Sequence, residues 1–199
     1  MKDGAKMNKQ DRFKGLAGIL YVIIKVFFWA AIIFTAAFAL GALLTVLSPN
    51  DLMKVANTES LRLSLGSTIK FTIDNLGNLD FKPVLLAILI SCAVAFPLFA
   101  AICWQVAGIL KTVKEDKPFA EENAKRLMII GIILINASWI LQVIEAVTAS
   151  VAITAFSIPN ISIAFNIDLT MLFMGLLVLI LAGVFKYGSY LQGEYDATL

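Results

Sequence analysis

The sequence predicts an all-α polytopic membrane protein: four transmembrane helices, both termini cytoplasmic, and short extracytoplasmic β-hairpins between helices one and two and between helices three and four. Three observations carry this. The 199 residues are 60% hydrophobic and only 15% charged, with a mean hydropathy of +0.88, whereas soluble domains are about one-quarter charged. Four apolar stretches approach or exceed the ~20 residues that a helix needs to cross a bilayer. Lysine and arginine are shared very unevenly among the connections.

The first apolar stretch, Val26 to Leu47, has 22 residues. The charged start MKDGAKMNKQDRFK and the AFA triplet resemble a secretory signal, but a signal's apolar region is only about 7–15 residues long. The stretch is therefore a retained helix, preceded by a cytoplasmic segment 1–25. Lys25 ends that segment, its stem in apolar surroundings and its ammonium at the head groups. Ala37, Gly41 and Thr45 recur at a spacing that lets helices approach closely, within a bundle or between chains, so an oligomer stays open.

The second helix runs from Val84 to Leu110, and Pro97 should kink it. The third spans Leu127 to about Ser150, and the fourth Leu169 to about Val184, continuing through Phe185 and Tyr187 into the interface. Residues 1–199 thus form one transmembrane domain, with outer connections 48–83 and 151–168, a cytoplasmic connection 111–126 and a cytoplasmic tail 189–199.

Charge sets the orientation. Residues 1–25, the 111–126 connection and Lys186 hold twelve of the sixteen Lys and Arg. The outer connections share Lys54, Arg62, Lys70 and Lys82, all in the first of them. Basic residues stay on the cytoplasmic side, which places both termini inside.

In the first outer connection Leu61, Leu63 and Leu65 alternate with polar residues, Gly66 and Ser67 interrupt, and Ile69, Phe71 and Ile73 alternate again. Period two around a Gly-Ser break reads as a hairpin. The second connection repeats the plan around Pro159 and Asn160, and the string I-x-F-x-I-D recurs at 69–74 and 163–168, 94 residues apart. Together the two hairpins could make a sheet of about four strands, since one hairpin alone is marginal. The competing reading is chance, because apolar chains readily write alternating I and F.

No chemistry-bearing set is found: the chain has no histidine, no Gly-rich phosphate loop, no GxSxG and no HExxH. Catalytic, cofactor and metal residues are accordingly expected to be none. Cys92 and Cys103 are eleven residues, about 16 Å, apart on one helix and cannot bridge each other. Asp74, Asp80 and Asp168 are acidic and external, but DNLGNLD does not match an EF-hand loop. Among polar groups in the helices, Glu145 and Gln142, one turn apart, could form an intramembrane polar site. Glu145 lies about 27 Å beyond Leu127 along the helix, so it reads equally as an outer interfacial carboxylate.

The inner connection KEDKPFAEENAKRL says more. Pro118 suits the first turn of a helix, Glu121 and Glu122 suit its positive end, and Lys125 and Arg126 can pair with them. The third helix should therefore start at about Pro118. Phe119 and Asn123 share one of its faces, and a solvated helix start would not need Phe119. In the tail FKYGSYLQGEYDATL, Phe185, Gly188, Leu191 and Gln192 recur at helical spacing, a face that can pack on the start of the third helix. One cytoplasmic surface is predicted from Pro118, Phe119, Asn123, Leu191, Gln192, Glu194 and Asp196. It could bind a partner, or simply lock the fourth helix to the third.

The KPFAEEN segment with its following leucine, and the ending F-x-x-G-x-x-L-Q-x-E-x-D-x-T-L, resemble the bacterial membrane family called domain of unknown function 2975. The positions that match are Pro118, Phe119, Asn123 and Leu127, then Phe185, Gly188, Leu191, Gln192, Glu194, Asp196 and Thr198. The family pattern has glycine just before Lys117, where this chain has Asp116. The resemblance spans four helices and nearly the whole chain. It implies a bacterial cytoplasmic membrane protein and a gene neighbour encoding a small helix-turn-helix regulator of the Cro/repressor type, and it implies no enzymatic activity.

Three functional classes follow. The first is a regulatory or sensor membrane protein that binds a cytoplasmic helix-turn-helix transcription regulator. The second is a small transporter or immunity-type protein acting on a peptide or toxin at the membrane, in which Gln142, Glu145 and Pro97 would matter most. The third, an enzyme, lacks a visible nucleophile and base. The lipid bilayer is the first partner in each, and nothing points to direct nucleic-acid contact.

Overall fold

The structure is a computed structural model, and it describes residues 9–49, 60–65, 69–74, 81–156 and 168–197. The elements are α1 (Lys9–Leu47), β1 (Ser60–Leu65), β2 (Ile69–Asp74), α2 (Lys82–Lys114), α3 (Glu121–Ala155) and α4 (Leu169–Ala197). All four helices are long and apolar enough to cross a membrane, which makes this a multi-pass membrane protein.

Each helix outruns its apolar stretch. The largest departure is α1, which begins at Lys9 and runs helical through the segment expected to be a flank up to Lys25. The intervening LAGILYVII contains no proline, and its one glycine costs only about 1 kcal/mol relative to alanine. The helix stops where Ser48 closes the last turn through its N–H to the Leu44 carbonyl, and Pro49 cannot continue it. Pro83 falls in the first turn of α2, where a missing N–H is harmless, and α2 passes through Pro97 as continuous helix.

β1 and β2 pair antiparallel, with Leu61 opposite Ile73, Leu63 opposite Phe71 and Leu65 opposite Ile69. The Gly66–Ser67 break, Asp80, and the second expected hairpin with Pro159, Asn160 and residues 161–167 lie outside the described residues.

The chain divides into two compact units. One comprises Met1–Ile32, Leu98–Ala137 and Leu169–Leu199; the other comprises Ile33–Pro97 and Ser138–Asp168. In the second unit α1 meets α2 through Phe34 and Phe38 on Phe96, with ring centroids 5.3 and 5.4 Å apart. Gly41 faces Leu89 and Thr45 is buried, whereas Ala37 of the same predicted stripe is exposed. Lys82 donates from Nζ to the Ser48 carbonyl at 2.7 Å, placing a cation at the negative end of α1. α2 and α3 are joined by Ser91 and Thr148, whose hydroxyls are 2.8 Å apart, and by an apolar cluster of Val84, Ala152 and Phe156, the last tilted against Phe81 with ring centroids 5.3 Å apart.

In the first unit α3 and α4 come close at two glycines. A Cβ on Gly131 would lie 3.0 Å from the Gly175 carbonyl oxygen, and one on Gly175 would lie 3.1 Å from the Gly131 carbonyl oxygen. Among the described residues the buried apolar side chains are mostly small, such as Ala31, Ala100, Ala107 and Ala137 in the first unit and Ala149 and Ala152 in the second, while many Leu, Ile and Phe side chains are exposed. That inversion is what a lipid solvent favours: hydrocarbon does not drive large apolar side chains inward, so small residues that permit close packing collect between helices.

Candidate functional site

The predicted site residues on the first unit lie in the α2–α3 turn and the end of α4. The turn is built by three successive devices. At the end of α2, the Asp116 N–H donates to the Val113 carbonyl and the Lys117 N–H to the Thr112 carbonyl at 3.0 Å, the hydrogen-bond pattern of a Schellman cap. Such a cap needs a left-handed residue, and Asp116 supplies it with φ of 60°. Glycine is the usual choice there, and aspartate is one of the few alternatives that tolerate this region. Position 116, where the resemblance implies glycine, is therefore one whose backbone favours it. Lys14 holds the Asp116 carboxylate at 2.6 Å.

Next, the Ala120 N–H donates to the Lys117 carbonyl at 3.2 Å, closing a turn with Pro118 in its second position. This corrects the expected start of the third helix. Proline's fixed φ serves the turn, and α3 begins three residues later at Glu121. The two expected ion pairs on its first turns form, Glu121 with Lys125 at 2.8 Å and Glu122 with Arg126 at 3.1 Å.

Third, Asn123 fixes the turn from inside. It is 0% exposed, and both polar atoms of its amide are hydrogen-bonded. Nδ2 donates to the Pro118 carbonyl at 2.9 Å, and Oδ1 lies 2.9 Å from the Thr112 hydroxyl, which also reaches the Ile109 carbonyl. Asn123 thus contributes no surface to a partner. It ties the end of α2 to the start of α3, and Leu127 is buried one turn on.

Phe119 meets α4. Its ring centroid is 5.4 Å from that of Phe185, and a Cβ on Gly188 would lie 2.9 Å from Phe119 Cδ1. Two sequence motifs about seventy residues apart are therefore one contact, with Gly188 leaving room for the ring. Phe119 remains 43% exposed even so, and Pro118 is exposed beside it. Leu191, Gln192 and Glu194 are exposed, so the packed face of α4 ends at Gly188 rather than at Gln192. Asp196 lies on the last turn of α4. A different stripe emerges, at the i, i+3, i+4, i+7 spacing of one helix face: Tyr187 at 64% exposure, Tyr190 at 60%, Leu191, and Glu194, which accepts from the Tyr190 hydroxyl.

The other predicted pair lies in the second unit on α3. Gln142 is half-buried and Glu145 is exposed, and neither has a hydrogen-bond partner among the described residues. No cluster of three or more potential metal ligands occurs among the described residues.

A protein-family profile described as Protein of unknown function (DUF2975) matches residues 72–199. The chain belongs to that family. The matched stretch takes in α2, α3 and α4 and leaves α1 outside, so the DUF2975 likeness covers three of the four helices. No curated protein and no solved structure matched the chain.

Sequence reasoning missed Thr112, the glycine pair Gly131 and Gly175, and the tyrosine stripe. Thr112 carries no motif. The glycines stand singly in apolar runs, and only their meeting in space gives them a role. The stripe recurs at helical spacing in the sequence, but so does the face set by Phe185 and Gly188, and spacing alone does not say which of the two is packed.

Proposed function

We propose that this DUF2975 protein is an integral regulatory protein of the bacterial cytoplasmic membrane, both termini cytoplasmic, that holds a cytoplasmic helix-turn-helix transcription regulator. The observation that carries the proposal is the exposed stripe of Tyr187, Tyr190, Leu191 and Glu194, turned away from the Phe119 contact on a helix that runs to Ala197. Internal packing is already satisfied at Gly188, so these side chains are not needed to seat α4. Exposed tyrosines match the aromatic enrichment of partner-binding surfaces, and the charge of Glu194 with Asp196 would complement the basic DNA-binding face of a regulator. The transporter reading draws less support, since Glu145 is exposed and the described residues assemble no polar site around it.

The test is co-purification of the wild-type chain with the regulator encoded beside it, alongside Glu194→Lys with Asp196→Lys and, separately, Tyr187→Ala with Leu191→Ala. Each double variant should remain at normal abundance while regulator binding falls on the order of tenfold or more and the regulator's reporter genes change. If the stripe only seats α4 among the head groups, as interfacial tyrosines do, the wild type will not retain the regulator and the reporter will not move. Orientation is read independently: in a chain lacking Cys92 and Cys103, Ser64→Cys should react with an impermeant thiol reagent on intact cells, and Ala120→Cys only after lysis.

A further inference from the structure

The first unit contains a second polar feature that owes nothing to the partner-binding reading. Lys25 of α1, Lys111 of α2 and Arg126 of α3 line one cavity of about 250 Å³, together with Tyr21, Trp104 and Gly108. Three helices thus each deliver one cation to the same space.

The surroundings are organised to hold them there. Lys25 Nζ stands 4.8 Å from the Trp104 ring centroid, with the rings of Phe28 and Tyr21 at 5.7 and 6.0 Å. Lys114 approaches the same Tyr21 ring at 5.3 Å, adding a fourth cation at the edge. Aromatic faces hold an ammonium without neutralising it. The Arg126 guanidinium lies directly on Gly108, where a Cβ would fall 1.3 Å from Nη1 and 2.3 Å from Cζ. A side chain at position 108 would displace the flexible end of Arg126, so glycine there leaves the guanidinium its place against α2. Among the described carboxylates, Glu122 binds Arg126 at 3.1 Å, while Asp116 is engaged by Lys14 and Glu121 by Lys125. No described carboxylate pairs with Lys25 or Lys111.

Like charges gathered in one cavity repel one another unless an anion joins them, and the repulsion is strongest where apolar walls lower the local dielectric. The location narrows the anion. Lys111 directly follows the apolar run of α2 and Arg126 directly precedes that of α3, the level at which phospholipid head groups lie, and basic pockets between membrane helices bind such head groups. The guanidinium and two ammonium groups match phosphate oxygens.

We propose that Lys25, Lys111 and Arg126 form a binding site for a phosphate ester, with Trp104 and Tyr21 as its aromatic wall. Two sources supply that chemistry: the head group of an anionic phospholipid, and a soluble phosphate compound.

Trp104 lines the site and reports on it. In the full chain carrying Trp29→Phe and Trp139→Phe, reconstituted in phosphatidylcholine nanodiscs, phosphatidylglycerol brominated on its acyl chains should quench Trp104 more strongly than phosphatidylcholine brominated in the same way. Lys25→Gln and Lys111→Gln should each reduce that preference about fivefold, Lys25→Arg should retain it, and Lys117→Gln, outside the cavity, should leave it unchanged. If the source is soluble, the lipids will quench equally, and glycerol phosphate will shift the Trp104 emission of the wild type but not of the Lys25→Gln, Lys111→Gln double variant. Retained secondary structure and an unchanged elution volume for each variant separate loss of the site from loss of the fold. Equal quenching by both lipids together with an unresponsive Trp104 would overturn the proposal.

Discussion

In the first unit α3 and α4 touch backbone to backbone at Gly131 and Gly175, and the α2–α3 turn is closed by a buried asparagine with fixed partners. In the second unit the contacts are chiefly of side-chain volume, with Phe34 and Phe38 on Phe96, Phe81 on Phe156, and one hydroxyl pair, Ser91 with Thr148. The difference bears on how many residue types each position accepts. Where a carbonyl oxygen sits 3.0 Å from a would-be Cβ, nothing can rotate away, and a buried amide that ties a turn has few isosteres. Where rings and Leu termini fill space, several shapes fit. The partner stripe and the cationic cavity both belong to the more narrowly specified unit.

The sharpest way to break this contrast is to add side chains at glycines in the two units. Gly175→Val in the first places new atoms against the Ile135 N and the Gly131 carbonyl oxygen, both 3.1 Å from the Cβ position. It should destabilise the protein by roughly 2–3 kcal/mol or more, the upper range for overpacking. Gly41→Ala in the second unit meets only the Leu89 methyls, at 3.4 and 3.7 Å, and gains up to about 1 kcal/mol of helix propensity. Thermal unfolding in detergent should show a large drop for the first and no drop for the second. Matched melting temperatures would mean that backbone proximity is not what distinguishes the units.

A smaller effect separates the two polar contacts. Asn123→Ala removes the amide from the Pro118 carbonyl and the Thr112 hydroxyl in a fully buried site, a loss of about 1–3 kcal/mol. Thr148→Ala removes an interhelical hydroxyl contact of the kind worth about 0.6 kcal/mol in membrane proteins. Hydrogen exchange should report the same order locally, with faster exchange of the Lys117 and Ala120 amides in Asn123→Ala and little change near Ser91 in Thr148→Ala. Comparable losses from the two substitutions would place the turn's order in the covalent chain rather than in Asn123.

Much of the framework was legible because it depends on composition and local chemistry. Four apolar stretches mark the helices, Pro118 marks a rigid turn, and the i, i+4 charges after it mark a helix start. What was not legible depends on where helices meet. Composition marks Lys25 as the end of a cytoplasmic flank, yet the helix continues back to Lys9 and Lys14 reaches Asp116. Helical spacing puts Asn123 on one face with Phe119 and so into the predicted surface, yet Asn123 is fully buried while Phe119 stays partly exposed. The departure at Asp116 was visible in the sequence as a missing glycine; only the backbone gives the reason.

That departure carries the smallest expected effect. A non-glycine residue in the left-handed region costs roughly 1–2 kcal/mol, somewhat less for aspartate, whose short side chain bonds locally. The Lys14–Asp116 pair is partly exposed on both sides, and such pairs contribute about 0–1 kcal/mol. Asp116→Gly relieves the first and forfeits the second, so its stability should stay within about 1 kcal/mol of the wild type, on the stabilising side at high salt, where the ion pair is screened. Asp116→Asn keeps most of the left-handed tolerance and removes only the charge, so its deficit at low salt measures the ion pair and should vanish as salt rises. Asp116→Val, β-branched where φ is 60°, should be the one clear loss at this position. If Asp116→Gly instead fell well below the wild type at every salt concentration, the carboxylate would be holding α1 through more than a screened ion pair, and the first unit would depend on Lys14 as much as on its glycines.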